Sequence, residues 1–210
     1  MNLPSEHSDS PAWLAGTVAM GEEILDRMER AVVKVRERLL RATSPLNQAA
    51  ILSAVVGGNA VASWVATVDE GAVRNTRDVD LLVRREDYQQ VSEALSRAGF
   101  IPTDSFGVVM FHDGLAGKPS EAIHLLFAGE KTKADHLLPA PEIETFDDPA
   151  NFRVLQLKPL VSLLLTRRRN EDSMLVRDVA SVGLIDQTWP QKFPPELSSR
   201  LQHLLDTPDG

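Results

Sequence analysis

The chain has no cysteine in 210 residues. That excludes a disulfide scaffold, thiolate zinc sites, a cysteine nucleophile and iron–sulfur ligation, and it fits a reducing compartment. Aromatic residues are scarce at 5%. Trp13, Trp64, Trp189 and the lone Tyr88 are scattered, so no stacking platform for bases is visible. No apolar run reaches the roughly 18 residues a membrane-spanning helix needs. The opening MNLPSEHSDSPAW contains no Lys or Arg and no apolar core. It does not read as a signal peptide, and the expectation is a soluble cytoplasmic protein. Positive charge is also in deficit: 22 Lys and Arg against 30 Asp and Glu leave a net charge of −8. Such a balance argues against non-specific nucleic-acid binding, which neutralises phosphates with Lys and Arg. It does not exclude a single nucleotide held through a metal, because the ion supplies the missing charge. There is no P-loop and no Gly-x-Ser-x-Gly elbow, and His7, His112, His136 and His203 show no metal-ligand spacing.

What remains is ordinary globular material, 43% hydrophobic and 25% charged, of a length that suits one domain with a helical extension. Residues 1–9 are polar and are expected to be disordered. Ser10-Pro11 is a helix start, a capping hydroxyl before a first-turn proline. Leu14, Val18, Leu25, Met28, Val32, Val35, Leu39 and Ala42 then recur at alternating spacings of three and four, with Gly21 filling the gap. This predicts one long amphipathic helix to about Ala42, ended by Thr43-Ser44-Pro45. A heptad-like stripe admits a coiled coil, hence a homodimer or a protein partner through this helix. Such stripes are more often core than seam, so a helix packed along the domain is the preferred reading.

Ile51–Val56 reads as a short buried strand, or the end of a helix running into one, broken by Gly57-Gly58, and 59–68 as a helix. Asp78–Val83 is a strand, and 85–98 a helix capped by Gly99. Residues 106–112 and 122–128 are two further strands, and the acidic, proline-rich stretch 133–150 is irregular. From Leu155 the pattern is helical, and Pro194-Pro195 opens a last helix to about Leu205. The division expected is a helix over 10–45, a core of strands and helices over 46–150, and a helical region over 151–210. The fold class is α+β, a small mixed sheet flanked by helices.

Two features carry chemistry. Gly57-Gly58 lies between a strand and a helix, and Asp78-Val79-Asp80 heads a strand about twenty residues later. Side chains alternate along a strand, so Asp78 and Asp80 point the same way. Two adjacent carboxylates repel, and one would take up a proton unless a cation binds both. Oxygen ligands favour a hard ion, magnesium or manganese. Glycines without Cβ let backbone N–H groups approach a phosphate, and the helix that follows offers its positive end. Arg74 and Thr76 are placed to touch phosphate oxygens. Metal, phosphate cradle and cation together point to phosphoryl or nucleotidyl transfer.

VVGGNAVASW followed by RNTRDVDLLV resembles the signature of the nucleotidyltransferase superfamily with the DNA polymerase β-type fold. More closely, the chain resembles small bacterial nucleotidyltransferase-like proteins, including those of toxin–antitoxin and abortive-infection systems. The resemblance runs from about Ile51 to about Asp186. It implies that Gly57, Gly58 and Asn59 hold the triphosphate and that Asp78 and Asp80 bind Mg2+ or Mn2+. The reaction implied moves a nucleoside monophosphate from an NTP to a hydroxyl on an RNA end, a protein or a small molecule.

The chain departs from that pattern. The third carboxylate falls on Ala122–Leu126, where His124 stands instead. A neutral imidazole binds manganese, zinc or iron and accepts a proton near pH 7, but it is a poor magnesium ligand. His124 is either catalytic or a hydrogen-bonded strand histidine. Glu121 and Asp113 are substitutes to be checked. Leu164 and Leu175 stand where related proteins carry polar groups. Arg167-Arg168-Arg169 reads as a solvated helix face paired with Glu171 and Asp172, or as a phosphate or acceptor contact. The departures keep open a second function, a non-catalytic member acting as nucleotide sensor or partner-binding subunit.

Overall fold

A computed structural model describes residues 12–105, 108–147 and 152–208. The expectations for residues 1–9 and for the start of the 106–112 strand lie outside the described residues. Seven strands form one sheet: β1 (Ser53–Val56), β2 (Val79–Val83), β3 (Phe100–Ser105), β4 (Val108–Asp113), β5 (Ile123–Phe127), β6 (Thr145–Asp147) and β7 (Arg153–Leu155). Their order is β3-β4-β5-β2-β1-β7-β6. The sheet is mixed, with β2 parallel to β5 and β1 parallel to β7, and the remaining pairs antiparallel. The helices are α1 (Ala12–Gln48), α2 (Gly57–Ala66), α3 (Tyr88–Arg97), α4 (Leu157–Arg167), α5 (Asn170–Ser181) and α6 (Pro195–Asp206). The α+β class, the long first helix and the helical end are as expected. No helix among the described residues is long and apolar enough to cross a membrane.

The core is continuous. Val79, Leu81, Leu82 and Val83 of β2 are fully buried beside Val55 and Val56 of β1. Covered on both faces, β2 reads as a nearly unbroken aliphatic run. α4 adds Leu160, Val161 and Leu164 to the same core, and α5 adds Val176 and Val179.

Three details differ from expectation. First, α1 does not stop at Thr43-Ser44-Pro45 but continues to Gln48 with Pro45 inside. An interior proline costs about 3 kcal/mol. Ala42 and Leu46, both fully buried, offset this: a buried Leu returns about 1.5–3 kcal/mol. Thr43 Oγ1 also donates to the Leu39 carbonyl at 2.9 Å. The helix closes where Ala50 turns left-handed (φ 54°) and the Ile51 amide donates to the Leu46 carbonyl. Second, α1 does not pack along the domain over its whole length. From residue 23 on, where side chains are described, the buried apolar positions of the stripe are Leu39, Ala42 and Leu46, while Leu25, Met28 and Val32 are exposed. Third, β3, β6 and β7 carry no run that announces a strand. β3 is an edge strand, which is why Pro102 is tolerated in it.

Candidate active site

The site is a product of strand register. β1 runs straight into α2, and Val56 pairs with Asp80 across β1–β2. On the other side of β2, Asp80 pairs with His124 of β5. One cross-strand row therefore holds the end of β1, the second aspartate and the histidine, and Asp78 follows by strand alternation. One ligand atom each from Asp78, Asp80 and His124 can be chosen so that all lie within 4.8 Å of one another. The residues fit a divalent cation: two carboxylates on the same side and an imidazole, gathered within a few ångströms.

Gly57 has φ +66°, and a Cβ there would run into the Asp80 carboxylate. A Cβ on Gly58 would likewise collide with the Thr76 side chain. The glycine pair thus lets the start of α2 lie directly on the acids and on the loop that leads to them. Val56, the residue before α2, provides no side-chain cap, so the first amides of the helix keep unused donors. Asn59 does not line the cleft. Its Nδ2 donates to the Asp78 carbonyl at 2.7 Å and ties the entry of β2 to α2.

Charge is unevenly compensated. His124 Nδ1 lies 3.3 Å from Asp80 Oδ1 and 4.0 Å from Asp78 Oδ2. Arg167 Nη1 donates to Asp80 Oδ2 at 3.4 Å. Asp78 has no side-chain hydrogen-bond donor among the described residues, and burial together with the neighbouring Asp80 charge pushes its carboxyl above the usual range, against a backbone hydrogen bond. The hydrogen bond to Asp80 raises His124, against the opposing effect of burial.

Arg167 is 8% exposed, and its Nε lies 3.8 Å from Asp172, itself 1% exposed. Asp172 also takes both Nε and Nη2 of Arg169, at 2.9 and 3.1 Å, and closes a capping box at the start of α5. Arg168 and Arg169 are exposed, and Arg169 pairs with Glu171 and Asp172 as the solvated-face reading expects; only the Arg167 side chain is buried. Arg168 makes the left-handed turn between α4 and α5, and its two neighbours are drawn toward the cleft by one buried carboxylate. Burial still pushes Asp172 upward overall.

The cleft has a volume of about 410 Å3 and is lined by Gly58, Arg74, Thr76, Asp78, Asp80, Ser120, His124, Arg169, Glu171, Met174 and Leu175. Arg74 reaches it but is paired with Asp178 at 3.0 Å. Thr76 Oγ1 is buried without a partner among the described residues. Leu164 is core, and Leu175 is a buried part of the cleft wall. Neither substitute for the third acid reaches the site. Asp113 accepts from Arg41 and Arg38, and Glu121 from Arg38, so both are held by α1. Sequence reading singled out the basic run that contains Arg167 but missed the contact of Arg167 with Asp80.

No protein-family model matches the sequence, and neither does any curated protein. Solved structures match by shape. The solution structure of the antibiotic-resistance factor ANT(2'')-Ia superposes with a TM-score of 0.54 at 11% identity, over 84% of this chain and 93% of that one. An antigenic nucleotidyltransferase-like protein from Paracoccidioides brasiliensis gives 0.50 at 14% identity, over 84% and 89%. The fold is that of the nucleotidyltransferases, with the cluster of Asp78, Asp80 and His124 beside its glycine turn.

Proposed function

We propose that the protein is a metal-dependent nucleotidyltransferase that moves a nucleoside monophosphate from an NTP to a hydroxyl acceptor. The observation that carries this reading is the convergence of Asp78, Asp80 and His124 at the capless start of α2. Asp78 and Asp80 would hold Mg2+ or Mn2+, which supplies charge neutralisation at the reacting phosphate. Gly57, Gly58 and the α2 amides provide donors for phosphate oxygens, with Thr76 and Arg74 beside them. Arg169, fixed by Asp172, is a further cation in the cleft wall. His124, whose Nδ1 faces Asp80, keeps Nε2 as the atom that takes the acceptor's hydroxyl proton. The acceptor oxygen then bonds the α-phosphorus as the α–β phosphoanhydride breaks and pyrophosphate leaves. Two of the solved neighbours are an antibiotic-resistance factor and a nucleotidyltransferase-like protein, which fits this chemistry at the level of fold.

The test supplies labelled NTPs with Mg2+ or Mn2+ to the full chain, with RNA, protein and aminoglycoside acceptors. Transfer by the wild type and none by Asp80→Asn supports the reading. No label on any acceptor sinks it.

One observation favours the second reading, a nucleotide sensor. Both oxygens of Asp80 are already engaged, one by His124 and one by the buried Arg167. Calorimetry with ATP and Mn2+ separates the two: binding without turnover identifies a sensor.

A further inference from the structure

A second cavity, of about 330 Å3, is lined in part by chain neighbours of the cleft residues. Arg27, Arg30 and Lys34 of α1 form one wall, and Arg77 and Glu121 the other, with Arg38 between them. The two cavities are contiguous along the chain. Arg77 sits between Thr76 and Asp78, and Glu121 follows Ser120, and those three neighbours line the cleft.

The charge here runs against that of the whole molecule. Five cations and one acid face the cavity of a chain whose net charge is −8. The acid is taken, because Glu121 accepts from Arg38 at 3.2 Å. Arg38 also holds the Arg77 carbonyl at 2.9 Å, which fixes the loop and leaves the Arg77 side chain to the cavity. Lys34 and the Arg77 guanidinium have no partner among the described residues. Arg30 has only Asp26, 4.0 Å away and well exposed, a pair of little strength. Arg27, Arg30 and Lys34 recur at three and four residues, so they share one helix face and span two turns, roughly 10 Å. Cations gathered this way repel one another, and an anion laid between them relieves that repulsion.

We infer that this groove binds the phosphate backbone of a single-stranded polynucleotide, whose terminal hydroxyl then reaches the adjoining cleft. Only the second clause rests on the transfer reading. A polynucleotide meets both demands in one molecule, with repeated phosphates for the cations and a hydroxyl one cavity away. With no aromatic side chain in the walls, the groove reads backbone charge and not base identity.

The test uses the full chain and a fluorescein-labelled twelve-nucleotide oligouridylate without NTP, titrated from 50 to 200 mM salt. Neutralising four phosphates on a single strand gives a log–log salt slope of roughly −3. The double variant Arg30→Glu, Lys34→Glu lies on exposed helix surface; it should weaken binding at least tenfold and flatten the slope. Its folding is checked by thermal melting. A penta-aspartate peptide and inorganic phosphate serve as comparison anions and should compete poorly. No oligouridylate binding at 50 mM salt, binding unchanged in the double variant, or equal competition by the peptide overturns the inference. Asp80→Asn should keep oligouridylate binding while losing Mn2+–ATP. A chain that binds the oligonucleotide but neither binds nor turns over ATP keeps the groove and loses the transferase. A chain that transfers label yet ignores the oligonucleotide does the reverse.

Discussion

Two acid clusters sit on the same sheet and end in opposite electrostatic states. At the cleft, Asp78 and Asp80 share His124 and Arg167, and Asp78 is pushed upward by burial and by its neighbour's charge. At the far end of β4, burial pushes Asp113 the same way. There, hydrogen bonds from Arg41 and Arg38 outweigh it and hold the carboxyl below the usual range. The residue type is the same and both carboxylates are partly buried. What differs is whether the fold brings enough fixed cations to saturate the acid. The saturated cluster staples α1 to β4. The unsaturated one leaves Asp78 raised by burial and by the charge of Asp80.

The sharpest way to break this comparison is metal binding. Asp80→Asn should weaken Mn2+ binding by more than the roughly 10–100-fold that outer-sphere partners are worth. Asp113→Asn should leave it within about twofold. Equal losses in calorimetric titration would show that saturation does not separate the clusters. Stability gives the next effect. Asp172→Ala leaves the buried Arg167 guanidinium short of a carboxylate and should cost about 3 kcal/mol in urea melts. Glu171→Gln, at an exposed carboxylate of the same turn, should cost less than about 0.5 kcal/mol.

Glycine substitution sharpens the contrast. Gly57→Ala and Gly99→Ala both place Cβ on a positive φ, at +66° and +90°, which costs roughly 1–2 kcal/mol in each case. Only at Gly57 does the new methyl group strike the Asp80 carboxylate; nothing stands within 4 Å of it at Gly99. Loss of Mn2+–ATP binding is expected for the first variant alone.

The smallest effect is the pH dependence of the metal-free chain. His124 is raised by its hydrogen bond to Asp80, so its contribution is complete below roughly pH 6.5 and fades as pH climbs through the raised value. Asp113 is lowered, so its contribution is present above roughly pH 4 and fades as pH falls through the lowered value. His124→Gln should flatten the urea midpoint between pH 6 and 8 while leaving the acid limb unchanged. A flat wild-type profile over that range would remove the His124–Asp80 hydrogen bond from the account.

Most of the site was legible because its parts are local patterns: the glycine pair after an apolar run, and two acids at strand spacing. His124 was legible only through the resemblance, as the residue standing where a third carboxylate is expected, and its pairing with Asp80 is a matter of register between β2 and β5. Arg167 was not. Counted with its neighbours, it reads as one of three exposed cations. The left-handed turn at Arg168 separates the three and directs them differently. The edge strand β3, with Pro102 and polar Thr103 and Asp104, offered no periodicity to read. The end of α1 misled because the local cost of Pro45 is visible in sequence and the burial of Leu46 is not.

By itself, the sequence determined the chemistry on offer: carboxylate and imidazole side chains, no thiol, a glycine pair after an apolar run, and an amphipathic first helix. These are properties of composition and of repeats a few residues long, which the backbone geometry of a helix or strand translates directly. Tertiary structure decided which acids stay unsaturated, since pairing Arg38 with Glu121 or Arg167 with Asp80 joins residues 83 and 87 positions apart. It also decided that the basic face of α1 shares a cavity with Arg77 and Glu121, chain neighbours of cleft residues. Charges act through space, and only the packed chain sets those distances.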